Sequence, residues 1–216
     1  MTTPDGLVAT LEALTGRLSG ALAILTGRPI TDVDRMLHPL RPMAAGVHGA
    51  EVRWTNGGAV ERRAEEIDAD VVAAVKSVVG GEPGAELELK HVSVAVHYRK
   101  VPNAGARLET ALRAVLEDGP DHLMLAAGRR VLEIVPRNVS KGRALESFMR
   151  LAAFQGRTPV MIGDDVTDET AFAAAGRMGG LGLKVAGEHF QRTDAHFAGP
   201  AEVRHWLADY TRRTAS

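Results

Sequence analysis

Pro159-Val160-Met161-Ile162-Gly163-Asp164-Asp165-Val166-Thr167-Asp168-Glu169-Thr170 is the stretch on which the fold turns. Pro159 to Ile162 is an apolar run short enough for a buried strand, and the alanine-rich segment from Thr170 reads as a helix. Between them, Asp164, Asp165, Asp168 and Glu169 place four carboxylates within six residues. Strand, acidic loop and helix make the repeating unit of an open α/β sheet, and such sheets bind ligands beyond the carboxyl ends of their strands. Crowded carboxylates repel one another unless something positive sits among them. Two readings share this spacing. One is a site for a hard cation, with Mg2+ suited because it takes one or two carboxylates plus substrate phosphate. The other is a solvated helix start, where acidic side chains favour the helix dipole.

The same alternation appears at the other end of the chain. Leu7, Val8, Leu11, Leu14 and Leu18 recur at helical spacing, with Asp5 as N-cap. Ala21 to Leu25 reads as a strand, Thr26-Gly27-Arg28-Pro29 as a turn, and an amphipathic helix follows to about Leu40. A strand from Met43 to Val47 leads to a hairpin of Glu51–Trp54 and Ala59–Arg62 around Thr55-Asn56-Gly57-Gly58. After the middle of the chain, a helix at 141–154, the Val160 strand, a helix at 169–178, a strand at 181–185 and a helix from Pro200 restore the pattern of a parallel sheet. The middle differs. A helix at 64–79, strands at 86–90 and 93–98 with one wet face, a helix at 104–116 and strands at 122–126 and 131–135 form an α+β module. The expected organisation is an α/β core of residues 1–60 and 137–216 with an inserted α+β module of residues 61–136.

Composition narrows the class. The 216 residues are 45% hydrophobic and 25% charged, with formal net charge −1. That excludes the basic face of a nucleic-acid binder. There is no cysteine, so no disulfide, thiolate metal site or thiol nucleophile. Met1-Thr2-Thr3-Pro4-Asp5 lacks the features of a signal peptide, and no apolar run is long enough for a membrane span. The expected setting is the cytoplasm, with no membrane partner.

Three loops then fall at strand ends. Thr26 follows the first strand, Lys141 opens the helix after the module, and Asp164 follows a later strand. A hydroxyl donor, an ammonium and a metal-binding carboxylate together suit a phosphoryl group. Each also has a plain reading: Thr26 as a turn residue, Lys141 as a solvated cation.

Six segments carry a resemblance. Thr26-Gly27-Arg28-Pro29, Gly46-Val47-His48-Gly49-Ala50-Glu51, Val96-His97-Tyr98-Arg99, Glu133-Ile134-Val135-Pro136, Ser140-Lys141-Gly142 and the Gly163–Glu169 loop resemble, in order and spacing, the trehalose-6-phosphate phosphatases of the haloacid-dehalogenase superfamily. The resemblance implies a Rossmann-like α/β core with an inserted α+β cap, and hydrolysis of trehalose 6-phosphate to trehalose and phosphate with Mg2+. Thr26 and Lys141 would meet the phosphoryl group. Asp164 would ligate the metal, with Asp165 and Asp168 as ligands or orienting residues. Arg28, His48, Glu51 and Glu133 near the core mouth, with Glu88, Lys90 and Arg99 on the cap, would hold the sugar. Read without the family, Glu88 and Lys90 are a cross-strand charge face, and His97 is a residue on the strand's wet side.

The family's first motif, Asp-x-Asp-Gly-Thr at the end of a central strand, supplies the nucleophile and the general acid–base. These 216 residues do not contain it. Asp32-Val33-Asp34 falls in a helix, Asp68-Ala69-Asp70 in the module, and Asp5-Gly6 has no strand before it. The expectation is therefore a truncated chain, with the central strand missing between Ala21–Leu25 and Val160–Ile162, little activity and weak metal binding. A non-catalytic sugar-phosphate module and a phosphatase for a different sugar phosphate are the alternatives.

Overall fold

The computed structural model describes residues 3–90, 92–117 and 119–213; Met1 and Thr2 of the N-terminal stretch read above lie outside them. In chain order its elements are α1 (Leu7–Arg17), β1 (Ala23–Leu25), α2 (Ile30–Leu37), β2 (Met43–Gly46), β3 (Glu51–Arg53), β4 (Glu61–Arg62), α3 (Ala69–Gly80), β5 (Glu86–Lys90) and β6 (Ser93–His97). Then come α4 (Gly105–Glu117), β7 (Leu123–Gly128), β8 (Val131–Pro136), α5 (Lys141–Phe148), β9 (Val160–Gly163), α6 (Glu169–Arg177), β10 (Leu181–Lys184) and α7 (Pro200–Arg213). They fall into two compact units, Met1–Arg62 with Ser140–Ser216, and Arg63–Val139.

The first unit is a layered α/β body. β1 pairs with β2 in parallel, and β3 and β4 extend the same sheet in antiparallel fashion, in the order β1-β2-β3-β4. Strand alternation sends Ala23 and Leu25 to one face and Ile24 to the other. Ala23 and Leu25 pack with Met43, Ala45, Val52, Phe148 of α5 and Phe154. Ile24 packs with Leu11 and Leu14 of α1 and Val33 and Leu37 of α2. β9 and β10 form a separate parallel pair. They are covered by α5 and α6 through Leu145, Met161, Ala171, Ala174 and Ala175, with Leu25 joining this cluster too. Among the described residues no ladder bond joins β1 to β9, so one helix, α5, underlies two sheets.

The second unit is a four-stranded antiparallel sheet, order β5-β6-β8-β7. Val94, Val96, Leu132, Ile134 and Leu123 pack on Val71 and Val75 of α3 and Leu108 and Leu112 of α4.

Several expectations change. α1 is preceded by Gly6 at φ 76°, not capped by Asp5, and no side chain caps it. α3 begins at Ala69, where Asp68 before it holds a non-helical ψ of 136°. α5 ends at Phe148, and Ala152–Phe154 is a separate 3-10 turn. β6 has no wet face: Ser93, Val94, Ala95 and Val96 are all buried, as befits a strand flanked by β5 and β8.

Candidate functional site

The loop after β9 is organised by Asp168. Its Oδ1 accepts from Lys141 Nζ at 2.6 Å, and its Oδ2 accepts from the backbone N–H groups of Asp164 and Asp165 at 3.0 and 2.9 Å. Asp165 Oδ1 accepts from the Thr167 N–H at 3.2 Å, which with Asp168 closes a reciprocal capping box. Lys141 and Asp168 are 7% and 3% exposed, so the ion pair is shielded and both partners depend on it. Gly163 allows this approach: a Cβ there would sit 2.4 Å from the Asp168 carboxylate. Ser140 caps α5 by accepting from the Arg143 N–H at 3.1 Å, and so sets Lys141 at the helix start.

Asp164 is left exposed at the end of β9. The protein packed behind it pushes its carboxyl above the usual range, and the charges of Asp168 and Asp165 add to this while Lys141 opposes. Thr167 Oγ1 is buried without a hydrogen-bond partner.

Thr26 lies on the same unit, at the end of β1. Its backbone N–H donates to Ala45 O at 2.9 Å, and its hydroxyl oxygen accepts from the Arg28 N–H at 3.1 Å. Val47 N–H donates to Arg28 O and His48 N–H to Thr26 O, both at 3.0 Å, so the two loops are stitched together. Val47 and His48 hold φ of 46° and 58°. Such values cost non-glycine residues of order 1–3 kcal/mol each and cluster at ligand sites. His48 lies directly on Gly27, where a Cβ would come 2.7 Å from its ring. Gly49 then abuts Ser140, with a Cβ position 3.1 Å from its carbonyl oxygen. A continuous set of contacts thus runs from Thr26 through His48 and Gly49 to Ser140 and Lys141, and through Asp168 to Asp164. Glu51 is engaged elsewhere: its Oε2 accepts from the Ile30 N–H at 2.9 Å, at the start of α2.

On the second unit, Glu133 of β8 accepts from Lys90 Nζ at 3.0 Å and from Ser93 Oγ at 2.6 Å, all three side chains lying on the sheet face away from α3 and α4. Glu88 meets His97 Nε2 at 2.8 Å on the same face. Arg99 is exposed just past β6.

Among the described residues no three His, Cys, Asp or Glu side chains gather as a metal-holding group. Asp168 has both oxygens committed within the protein. Glu133 lies on the second unit, bonded to Lys90. Ser93 was not foreseen; a lone serine heading an otherwise apolar strand was the available signal.

The trehalose-phosphatase family model matches residues 1–214. Trehalose-6-phosphate phosphatase of Escherichia coli K12 is 38% identical over 205 residues, covering 94% of this chain and 76% of that protein. The solved C-terminal domain of Candida albicans trehalose-6-phosphate phosphatase aligns with TM-score 0.80 at 19% identity, over 97% of this chain and 84% of that one. The Aspergillus fumigatus trehalose-6-phosphate phosphatase structure aligns with TM-score 0.66 at 26% identity, over 96% and 84%.

Proposed function

The chain belongs to the trehalose-phosphatase family of the haloacid-dehalogenase superfamily, a lineage of phosphatases, and from that premise we propose that its site holds trehalose 6-phosphate for hydrolysis to trehalose and phosphate. One observation supports this above the others: a buried Lys141–Asp168 pair fixes both the ammonium and the loop that presents Asp164 at a strand end. An ammonium has three donors. Its bond to Asp168 leaves Lys141 able to donate to a phosphoryl oxygen. The Thr26 hydroxyl accepts from Arg28 but keeps its own proton to donate.

The cation in this reading is Mg2+. The donor set is oxygen-only, and one exposed carboxylate beside two orienting ones matches an ion that keeps most of its waters. Asp164 would hold it, with Asp165 and Asp168 setting the loop. When bound, the ion would withdraw charge from the phosphoryl oxygens. On the second unit, Glu88, Lys90, Arg99 and Glu133 offer donors and acceptors that suit sugar hydroxyls; on the first unit, Arg28 and His48 offer the same. Glu51 supports the site by fixing the start of α2. Among the described residues no helix is long and apolar enough to cross a membrane.

The 216 residues hold the substrate but do not cleave it. They contain no Asp-x-Asp-Gly-Thr carboxylate to attack phosphorus. Removing a covalent nucleophile costs an enzyme most of its rate enhancement. The test is phosphate release from trehalose 6-phosphate with Mg2+, using the chain alone and the chain extended by a strand ending in that motif. The expected result is negligible release from the first, restored release from the second, and its loss again on Asp164→Ala. Robust turnover by the chain alone overturns the account of the missing carboxylate. Equal rates on glucose 6-phosphate overturn the assignment of Glu88 and Lys90 to the sugar.

A further inference from the structure

Asn56 is the one asparagine of the chain followed by a glycine; Asn103 precedes Ala104 and Asn138 precedes Val139. Asn56 and Gly57 are both exposed, and open space surrounds Gly57. With no Cβ on Gly57, nothing shields its backbone nitrogen from the side chain before it. Such a pair can react with itself. The Gly57 nitrogen gives its proton to water and attacks the side-chain carbonyl carbon of Asn56. The new C–N bond forms, the bond to the –NH2 group breaks, and ammonia leaves behind a cyclic imide. Water then adds to either ring carbonyl and opens the ring to an aspartyl or an isoaspartyl residue.

The fold engages both reacting groups elsewhere. Asn56 Oδ1 accepts from the Met43 N–H at 2.8 Å, which commits the side-chain carbonyl to the start of β2. The Gly57 N–H donates to Arg41 O at 2.7 Å, so the attacking nitrogen is held as well. Arg53 fastens the same two segments from within. It is wholly buried, and it donates through Nε to Gly58 O at 3.1 Å and through Nη1 to Pro42 O at 3.4 Å. Residues 41–43 are thus tied to residues 56–58 both directly and through Arg53, whose guanidinium Asp34 of α2 keeps in place. An isoaspartyl link lengthens the backbone by one carbon, so the Met43 and Arg41 bonds could not both re-form. β2 ends at Gly46, where the Val47–His48 loop departs, and a loosened β2 would pass the change on to that loop.

We propose that Asn56 is a site of self-deamidation that the fold keeps closed, so that its conversion follows release of the Thr55–Gly58 turn from β2. The test is incubation of the purified chain in mildly alkaline buffer. Peptide mass mapping follows the exchange of –NH2 for –OH at position 56, and an isoaspartate methyltransferase assay follows the isomer. The chain unfolded in urea should convert readily. The native chain should convert about tenfold or more slowly, the size expected when two hydrogen bonds have to break first. Asp34→Asn takes an acceptor from Arg53, and its folded form, checked by circular dichroism, should convert severalfold faster than wild type. In subdenaturing urea, wild-type conversion should rise in step with amide exchange at Gly57, a readout that needs no variant. Native conversion at the unfolded rate, conversion indifferent to Gly57 exchange, or a folded Asp34→Asn chain that converts as wild type overturns the gate. An unfolded chain that keeps its asparagine at position 56 overturns the site itself.

Discussion

Asp168 accepts three hydrogen bonds, one from Lys141 of α5 and two from backbone N–H groups of its own loop, and its amide analogue cannot. In Asp168→Asn, an –NH2 group would face either the Lys141 ammonium or the two backbone N–H donors. Breaking a buried, hydrogen-bonded ion pair in this way should cost about 3–5 kcal/mol, measured by urea unfolding at pH 7. Lys141→Met should cost less, since the carboxylate keeps its two amide donors. Thr167 predicts the opposite sign. Its buried hydroxyl has no partner, so Thr167→Val should leave the chain equally stable or more stable, by up to about 1 kcal/mol in the same assay. At this scale the sequence showed which residue types gather at the strand end, but not their division of labour. Asp164, Asp165 and Asp168 look alike in a string. Only the fold shows that one faces water, one caps a turn and one is consumed by Lys141. Glu51 was legible as a polar residue near a loop; its use as a cap on α2 depends on a contact across 21 positions.

Between elements, Arg53 ties the β2–β3 hairpin to α2. Its guanidinium is wholly buried and meets Asp34 through two bonds of 2.7 and 2.6 Å, with further bonds to Gly58 O and Pro42 O. The bond from Arg53 holds the Asp34 carboxyl below its ordinary range, with partial burial opposing. A depressed folded pKa means stability that is complete above the unfolded value and is lost as pH falls through the folded one. Asp34→Asn should therefore lose most at neutral pH, and its stability should fall less steeply than that of the wild type below about pH 4, the ordinary range for aspartate. Gly142→Ala tests the α5–α6 contact. A Cβ there would lie 2.4 Å from Thr170 O, a backbone atom, so a loss of about 1–3 kcal/mol is expected in thermal unfolding. The elements themselves were largely legible, because period-2 and period-3.6 patterns are local. What escaped was burial imposed by neighbours. β6 reads as half-wet, yet it lies between two strands and carries Ser93 at zero exposure because Glu133 receives its hydroxyl.

Across the whole molecule, the cores are separate. The apolar cluster of the Arg63–Val139 unit shares no residue with those of the other unit. Val75→Ala, at a site with no exposure, should remove about 2 kcal/mol from its own unit. Hydrogen exchange should then speed up in α3, α4 and β5–β8 while β2 and α5 keep their protection. The divided sheet of the first unit has a different consequence. β1 and β9 each bond a neighbour on one side only, and naked amides and carbonyls are adhesive. Crowded solutions of this chain should grow cloudy with time as such edges zip onto copies of themselves, and Val160→Lys, at an exposed position of β9, should slow the clouding.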